Sequence, residues 1–389
     1  MAVTKKSVGA VVLLLLALVL TTCSTNNPPP GVSSEFWDVD EAPGADAEAG
    51  DILALEQRDD APQGSKGWNM IYVSEIESGT KKYVSGEIYV PDDSGTTPRD
   101  IVLWNHPTTG LADYCAPSRR EVNDIRIPEL QQLLDDGHIV VASDYPGQGL
   151  PGPAYYMVGQ ANARASLDAL RTLEHLPEIE HSGKFVQYGS SQGGQTAMHV
   201  EAIAPNYAPD FALLGSAMMS PAVRVKDLTT NAMRYPELTG FALSMLSGVK
   251  TAHPDLSYSE FLSEESQEAL SQVNASCWGI WQNGTAIEHP YTDDAMDDDS
   301  DWAKAMEDID DFTPTGSAPF IIHHSATDGV APVEQARREV EALCQAGSAV
   351  EYREYENMEH GDVIPEAATT FPDWAQDRFE GKPAVDDCT

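Results

Sequence analysis

Phe185-Val186-Gln187-Tyr188-Gly189-Ser190-Ser191-Gln192-Gly193-Gly194 reads as a strand running into a tight turn and then a helix. The first four residues are a short apolar run, and a helical pattern continues from Gly194 to Ala204. Between them, Gly189, Ser191 and Gly193 match G-x-S-x-G, the motif that lifts a serine onto a sharp strand-to-helix elbow. Small residues on either side let neighbouring backbones approach such a turn closely. No other serine of the chain stands in this context. A serine hydroxyl becomes a nucleophile only when a base takes its proton, so Ser191 calls for a histidine and an acid to orient it.

Outward from the elbow, further short apolar runs have the character of strands buried on both faces: Ile101 to Trp104, Ile139 to Ala142, Phe211 to Leu214 and Phe320 to Ile322. Helical patterns separate them over Ile127 to Leu134, Ala161 to Leu173 and Val333 to Cys344. This alternation predicts an α/β class with a mostly parallel sheet flanked by helices, and with the elbow it predicts the α/β-hydrolase fold. A crevice is expected at the carboxyl ends of the strands. Before the parallel part, Met70 to Val73 and Tyr83 to Val90 read as an antiparallel pair broken at Ser78-Gly79-Thr80. Residues 225–315 lack a comparable strand and are acidic and helical, the size and place of an inserted cap. The core then falls into 67–224 and 316–389. Residues 24–66, rich in Pro, Gly, Ala and acid, read as a flexible tether.

In this fold the chain order is serine, acid, histidine. His360, in Met358-Glu359-His360-Gly361-Asp362, is the one histidine after residue 324 and follows the last expected strand, Val350 to Tyr355. Asp328 follows the next-to-last strand and is placed to orient the imidazole; its competing reading is a turn aspartate before Gly329. The oxyanion formed during acyl transfer needs two N–H donors. One is expected from Gln192. The other is expected from the loop Asn105-His106-Pro107-Thr108-Thr109-Gly110. Proline has no N–H, so Thr108 is the better donor and Thr109 the reserve.

Sixty-two acidic residues against 23 basic ones give a net charge of −39, which repels nucleic acid and excludes it as a partner. The same acidity fits a salty habitat, or simply an acidic exported protein. Lys5 and Lys6 precede the apolar run Val8 to Leu20, and Leu20-Thr21-Thr22-Cys23 follows. This reads as an export signal over residues 1–23. Its form resembles a bacterial lipoprotein signal in which Cys23 is lipidated and holds the protein at a membrane. Thr22 departs from the small residue usual there, and ordinary cleavage with free secretion is the alternative. Either way an extracellular or cell-surface location is expected. Cys115, Cys277, Cys344 and Cys388 then form an even set in an oxidising compartment, which points to two disulfides with three connectivities open. None stands at metal-ligand spacing. Asp297-Asp298-Asp299-Ser300-Asp301 lacks the glycine and terminal glutamate of a calcium loop and reads as solvated surface.

His106-Pro107-Thr108-Thr109-Gly110, Cys115-Ala116-Pro117-Ser118, Asp144-Tyr145-Pro146-Gly147-Gln148-Gly149 and the elbow together resemble the secretory lipase family of the fungal lipase A type, over about residues 68 to 380. The resemblance implies an α/β-hydrolase core with a helical cap, carboxylic ester substrates and no cofactor. It also implies Cys115 paired with Cys277 and Cys344 with Cys388. Pro107 stands where the family more often has glycine. The expectation is a monomeric exported serine ester hydrolase acting on small-molecule or lipid esters. Its rivals are a peptidase or polyester hydrolase on the same fold, and a surface lipoprotein without catalysis.

Overall fold

The computed structural model describes residues 28–39, 42–93, 97–121, 126–275, 277 and 287–388. The expected export signal over residues 1–23, with Cys23, lies outside the described residues. Nine strands form one sheet in the order β1-β2-β3-β5-β4-β6-β7-β8-β9. They are β1 Ile52–Arg58, β2 Ser65–Glu77, β3 Thr80–Pro91, β4 Arg99–Asn105, β5 Ile139–Ser143, β6 His181–Ser190, β7 Ala212–Met219, β8 Phe320–Ser325 and β9 Val350–Tyr355. The first three pair antiparallel, β3 also meets β5 antiparallel, and β5-β4-β6-β7-β8-β9 is parallel throughout.

Alternation along the parallel strands explains the two-sided core. Ile101, Leu103, Ile139, Val141 and Phe185 point to one face, where they meet helices α2 (Gly159–Arg171) and α3 (Gln192–Tyr207). Val102, Trp104, Val140, Val186 and Tyr188 point to the other. There they meet α1 (Leu130–Asp135), α9 (Val363–Ala368) and α10 (Phe371–Phe379). Tyr188 and Phe371 stack at 4.1 Å between centroids, and Tyr188 also touches Trp104 at 4.4 Å. Helix α8 (Val333–Ala346) spans the return from β8 to β9. A mostly parallel sheet wrapped by helices on both faces, with the elbow after β6, is the α/β-hydrolase fold. From β4 the chain steps to β5 on one side, and β6 lies on the other. The carboxyl ends of β4 and β6 are therefore a topological switch point, where such sheets open a crevice.

Between β7 and β8 the described chain forms helices α4 (Val225–Ala232), α5 (Thr239–Ala252), α6 (Glu264–Asn274) and α7 (Asp301–Asp308). Their apolar sides share a core with Leu111, Tyr156, Val158, Ala222 and Ala331. Those five residues come from the loops after β4, β5, β7 and β8, so this helical insert seats on the carboxyl edge of the sheet.

Two expectations need correction. The tether expected over residues 24–66 is partly built into the fold. Ile52–Arg58 is the edge strand β1, and Val32, Phe36 and Trp37 are buried against Ile71 and Leu150. An edge strand is paired on one side only, and β1 is mostly half-exposed, so its apolar alternation is weak. The helix expected from Ile127 begins at Leu130. Pro128 disfavours helical geometry at the residue before it, and Glu129 turns with φ 60°. Two disulfides, Cys115–Cys277 and Cys344–Cys388, close 162- and 44-residue separations. The first ties the loop after β4 to the helical insert.

Candidate active site

Ser191 stands between β6 and α3 with φ 51° and ψ −115°, a backbone conformation costing on the order of 1–3 kcal/mol. The surroundings hold it there. Its N–H donates to the Met219 carbonyl at 3.0 Å, and its carbonyl accepts from Ala222 N at 3.0 Å and Gly194 N at 2.9 Å. The glycines are there for room: a Cβ on Gly193 would overlap the Asn105 carbonyl, and one on Gly189 would overlap the Gly193 carbonyl. The elbow is thus pressed between the ends of β4 and β7.

His360 lies in the loop between β9 and α9. Its Nε2 accepts from Ser191 Oγ at 2.9 Å, and its Nδ1–H donates to Asp328 Oδ2 at 2.6 Å. Asp328 sits in the turn after β8, where its Oδ1 accepts from Val330 N at 2.9 Å and Ala331 N at 2.8 Å. Both carboxylate oxygens are therefore committed, and the plane of the carboxylate is set before the imidazole meets it. The structure brings together all three residues singled out in the sequence, from the ends of three different strands.

Charge follows from this geometry. Burial alone pushes the Asp328 carboxyl up, but the His360 ring, His324 and the Ala331 N–H outweigh it and hold the group below its ordinary value. Burial alone pushes His360 down, but Asp328 outweighs it and the imidazole lies above its ordinary 6.5. His324, fully buried in β8, donates through Nε2 to the Ala331 carbonyl at 2.9 Å and lies 3.7 Å from Asp328 Oδ2. Burial keeps it below its ordinary value, and through the Ala331 carbonyl it braces the aspartate turn.

Gln192 opens α3, so its N–H belongs to the first turn, whose donors find no partner within the helix. The partial positive charge of the helix end lies at the same place. From β4, Asn105 leads into the loop carrying Thr108 and Thr109, and the start of that loop, Asn105 and His106, lies against Gly193 of the elbow. Thr108 Oγ1 is hydrogen-bonded to Tyr156 OH at 2.8 Å, whereas Thr109 Oγ1 is buried with no partner among the described residues.

Several supporting residues escaped the reading of the sequence. Ser220, with φ 47° at the end of β7, donates through Oγ to the His360 carbonyl at 3.0 Å. Ser325 and Thr327 hydroxyls both donate to the Met358 carbonyl, at 2.6 and 2.8 Å, and so hold the same loop. No pattern marks such residues, because a lone serine before a proline or in a turn is common. The acidic run Asp297–Asp299 is exposed, and Asp298 is met by Lys226 at 3.0 Å.

Comparisons with known proteins point one way. Residues 124–387 match the family model described as secretory lipase. Lipase 10 of Candida albicans is 21% identical over 382 residues, covering 88% of this chain and 80% of its own. The closed-state structure of Candida antarctica lipase A superposes with a TM-score of 0.75 at 19% identity, covering 94% of this chain and 90% of that one. A ligand-bound form of the rice cell wall degrading esterase LipA from Xanthomonas oryzae gives a TM-score of 0.67 at 18% identity, over 83% and 95% of the two chains. With the family model covering most of its length and lipase A sharing its architecture, the chain belongs to the secretory lipase family.

Proposed function

We propose that this chain is an exported serine hydrolase that cleaves carboxylic esters of the lipase and esterase class through Ser191, His360 and Asp328. The observation that carries the reading is the unbroken hydrogen-bond line from Ser191 Oγ through the His360 ring to Asp328. Family membership and the lipase and esterase relatives supply the substrate class.

The chemistry follows from the geometry. Because Nδ1–H is given to Asp328, Nε2 carries the lone pair and takes the serine proton as Oγ attacks the ester carbonyl carbon. Charge moves to the carbonyl oxygen, which the N–H groups of Gln192 and Thr108 receive. His360, now protonated and facing Asp328, returns the proton to the departing alkoxide, and an acyl-Ser191 remains. Water, deprotonated by the same Nε2, attacks the acyl carbon; His360 then returns that proton to Ser191 Oγ as the acyl–oxygen bond breaks and the acid leaves. No cofactor enters these steps. Helices α4 to α7, seated on the loops that form the site, act as a cap that excludes water and frames the substrate. Cys23, at the end of an export signal, anchors the mature chain through a lipid. Incorporation of labelled palmitate that disappears in Cys23→Ala tests the anchor, and free secretion of the wild type overturns it.

The central test is labelling by a fluorophosphonate probe together with hydrolysis of nitrophenyl esters of rising acyl length. Ser191→Ala should abolish both while leaving the melting temperature within a few degrees. Residual hydrolysis above about one part in a thousand overturns the assignment, because loss of such a nucleophile removes far more.

A further inference from the structure

The loop after β5 meets three parts of the molecule at once. Gln195, in the first turn of α3, donates through Nε2 to the Met157 carbonyl at 3.1 Å, and its own N–H reaches the Ser191 carbonyl at 3.3 Å. The frame that holds the nucleophile therefore also holds Met157. Gly159 N donates to the Ile309 carbonyl at 3.1 Å, just past α7. Gly248 on α5 lies so close to the Tyr156 carbonyl that a Cβ there would overlap it. Met157 itself has φ 58°, uncommon for a long side chain and a conformation that persists only where its surroundings demand it. These contacts hold the backbone at and after Tyr156, whose buried phenol meets Thr108 Oγ1 at 2.8 Å.

A phenol is more acidic than an alkyl alcohol, so it is the better donor of the pair, and the threonine oxygen is the better acceptor. Burial pushes the phenol up to about 12, so it keeps its proton throughout the neutral range. Once Thr108 Oγ1 accepts from Tyr156, its own O–H must point elsewhere. Thr108 lies on the loop that supplies the second oxyanion N–H.

We infer that Tyr156 is a positioning residue: by donating to Thr108 Oγ1 it turns the threonine hydroxyl toward the oxyanion as a third donor, beside the N–H groups of Gln192 and Thr108. This rests on the function proposed above. It adds a device that couples the helical insert to the chemistry, since α5 sits directly on the Tyr156 backbone. A hydroxyl held in place before the reaction costs no reorganisation when charge develops, which is why such donors act on kcat.

The test is a double-mutant cycle on a soluble short-chain ester, with fluorophosphonate labelling of every variant as a control. Thr108→Val should lower kcat about 10²-fold with KM changed less than about threefold, the signature of a donor used in the transition state. Tyr156→Phe, which removes only the phenol oxygen, should lower kcat about tenfold. Added to Thr108→Val, it should lower kcat by less than about twofold further. Thr108→Ser, which retains a hydroxyl, should recover most of the rate lost in Thr108→Val. A brace without a role in the reaction would move the melting temperature and leave kcat alone, and that result overturns the inference. So does an additive cycle, which would mean that Tyr156 acts by another route, and so does a change in KM only. If Tyr156→Phe fails to fold, equal kcat in Thr108→Val and Thr108→Ser still overturns it. An unlabelled wild type would overturn the proposed function itself, a different failure.

Discussion

At the scale of single residues, Asp328 and His360 place stability and activity in opposition. The carboxyl lies below its ordinary value, so its contribution to stability is present above about pH 4 and lost as pH falls through its folded value. The imidazole lies above its ordinary value, so its contribution is present below about pH 6.5 and lost as pH rises through its folded value. The pair therefore stabilises the fold most between those limits, where both groups are charged. Catalysis through the proposed triad needs the neutral imidazole, because only that form accepts the Ser191 proton. The acid limb of kcat/KM should thus have its midpoint above 6.5, and Asp328→Asn should move it down while lowering kcat about 10³- to 10⁴-fold. A pH–rate profile of the two proteins checks this. A limb at the same pH in both would show that His360 does not feel Asp328. The resting position of the imidazole also depends on Ser220, since its hydroxyl holds the His360 carbonyl. Ser220→Ala should cost a few-fold in kcat, roughly the loss of one neutral hydrogen bond, and unchanged kcat in that variant would show the loop to be held well enough by Ser325 and Thr327.

At the scale of elements, what was legible followed from strong local constraint. β6, its glycines and α3 had one reading, because a Gly-x-Ser-x-Gly turn after a buried strand tolerates few conformations. β9 spans Val350–Tyr355, where the last strand was expected; Asp328 followed from the order of elements, and His360 from that order together with being the one histidine after residue 324. β1 was not legible, because Leu53 and its neighbours are shielded from one side only and polar residues interrupt them. Nor were Tyr156 and Ser220, whose importance is tertiary: each matters for the carbonyl or hydroxyl it meets across the fold. The elbow's tolerance can be measured. Gly193→Ala places a methyl group on the Asn105 carbonyl, which belongs to backbone and cannot swing aside. The elbow must then lift away from β4, taking Gln192 N from the proposed oxyanion site, so activity should fall at least about 10²-fold. Normal hydrolysis by this variant would show that the contact relaxes without cost. The Cys115–Cys277 bond acts at the same scale. Its loop of 162 residues includes the elbow and most of the insert, so opening it with Cys277→Ser should destabilise the protein by about 2–5 kcal/mol. The insert helices should become the first sites of proteolysis, and unchanged cleavage patterns in wild type and variant would argue that packing alone seats them.

At the scale of the whole molecule, charge dominates. The net charge is −39, and loss of the proposed export signal, with its Lys5 and Lys6, would deepen it to −41. Much of it crowds one region: of the ten carboxylates from Asp293 to Asp311, all but Asp310 are exposed. Among the described residues, few basic side chains answer them. Lys226 reaches Asp298 and Glu307, His253 reaches Asp308, and Lys304 lies 3.6 Å from Asp301. Exposed pairs of this kind contribute about 0–1 kcal/mol each, too little to offset repulsion summed over a whole face. At 0.01 M ionic strength the screening length is about 30 Å, so carboxylates across much of the domain repel one another; at 1 M it is about 3 Å, and only neighbours do. Salt should therefore stabilise the compact state more than the expanded one, in which the same charges already lie further apart. The melting temperature should be several degrees higher in molar sodium chloride than in dilute buffer, with fluorophosphonate labelling of Ser191 retained at both. Hydrogen exchange in dilute buffer should be fastest in the helical insert, where the acid is densest, and should slow there most when salt is added. Asp310 should resist the trend, because it is held by Gln195, His199 and Val225 N rather than facing solvent. Equal melting temperatures at the two salt levels would mean that repulsion is absorbed by the disulfides and the packed core, leaving solubility as the use of the charge.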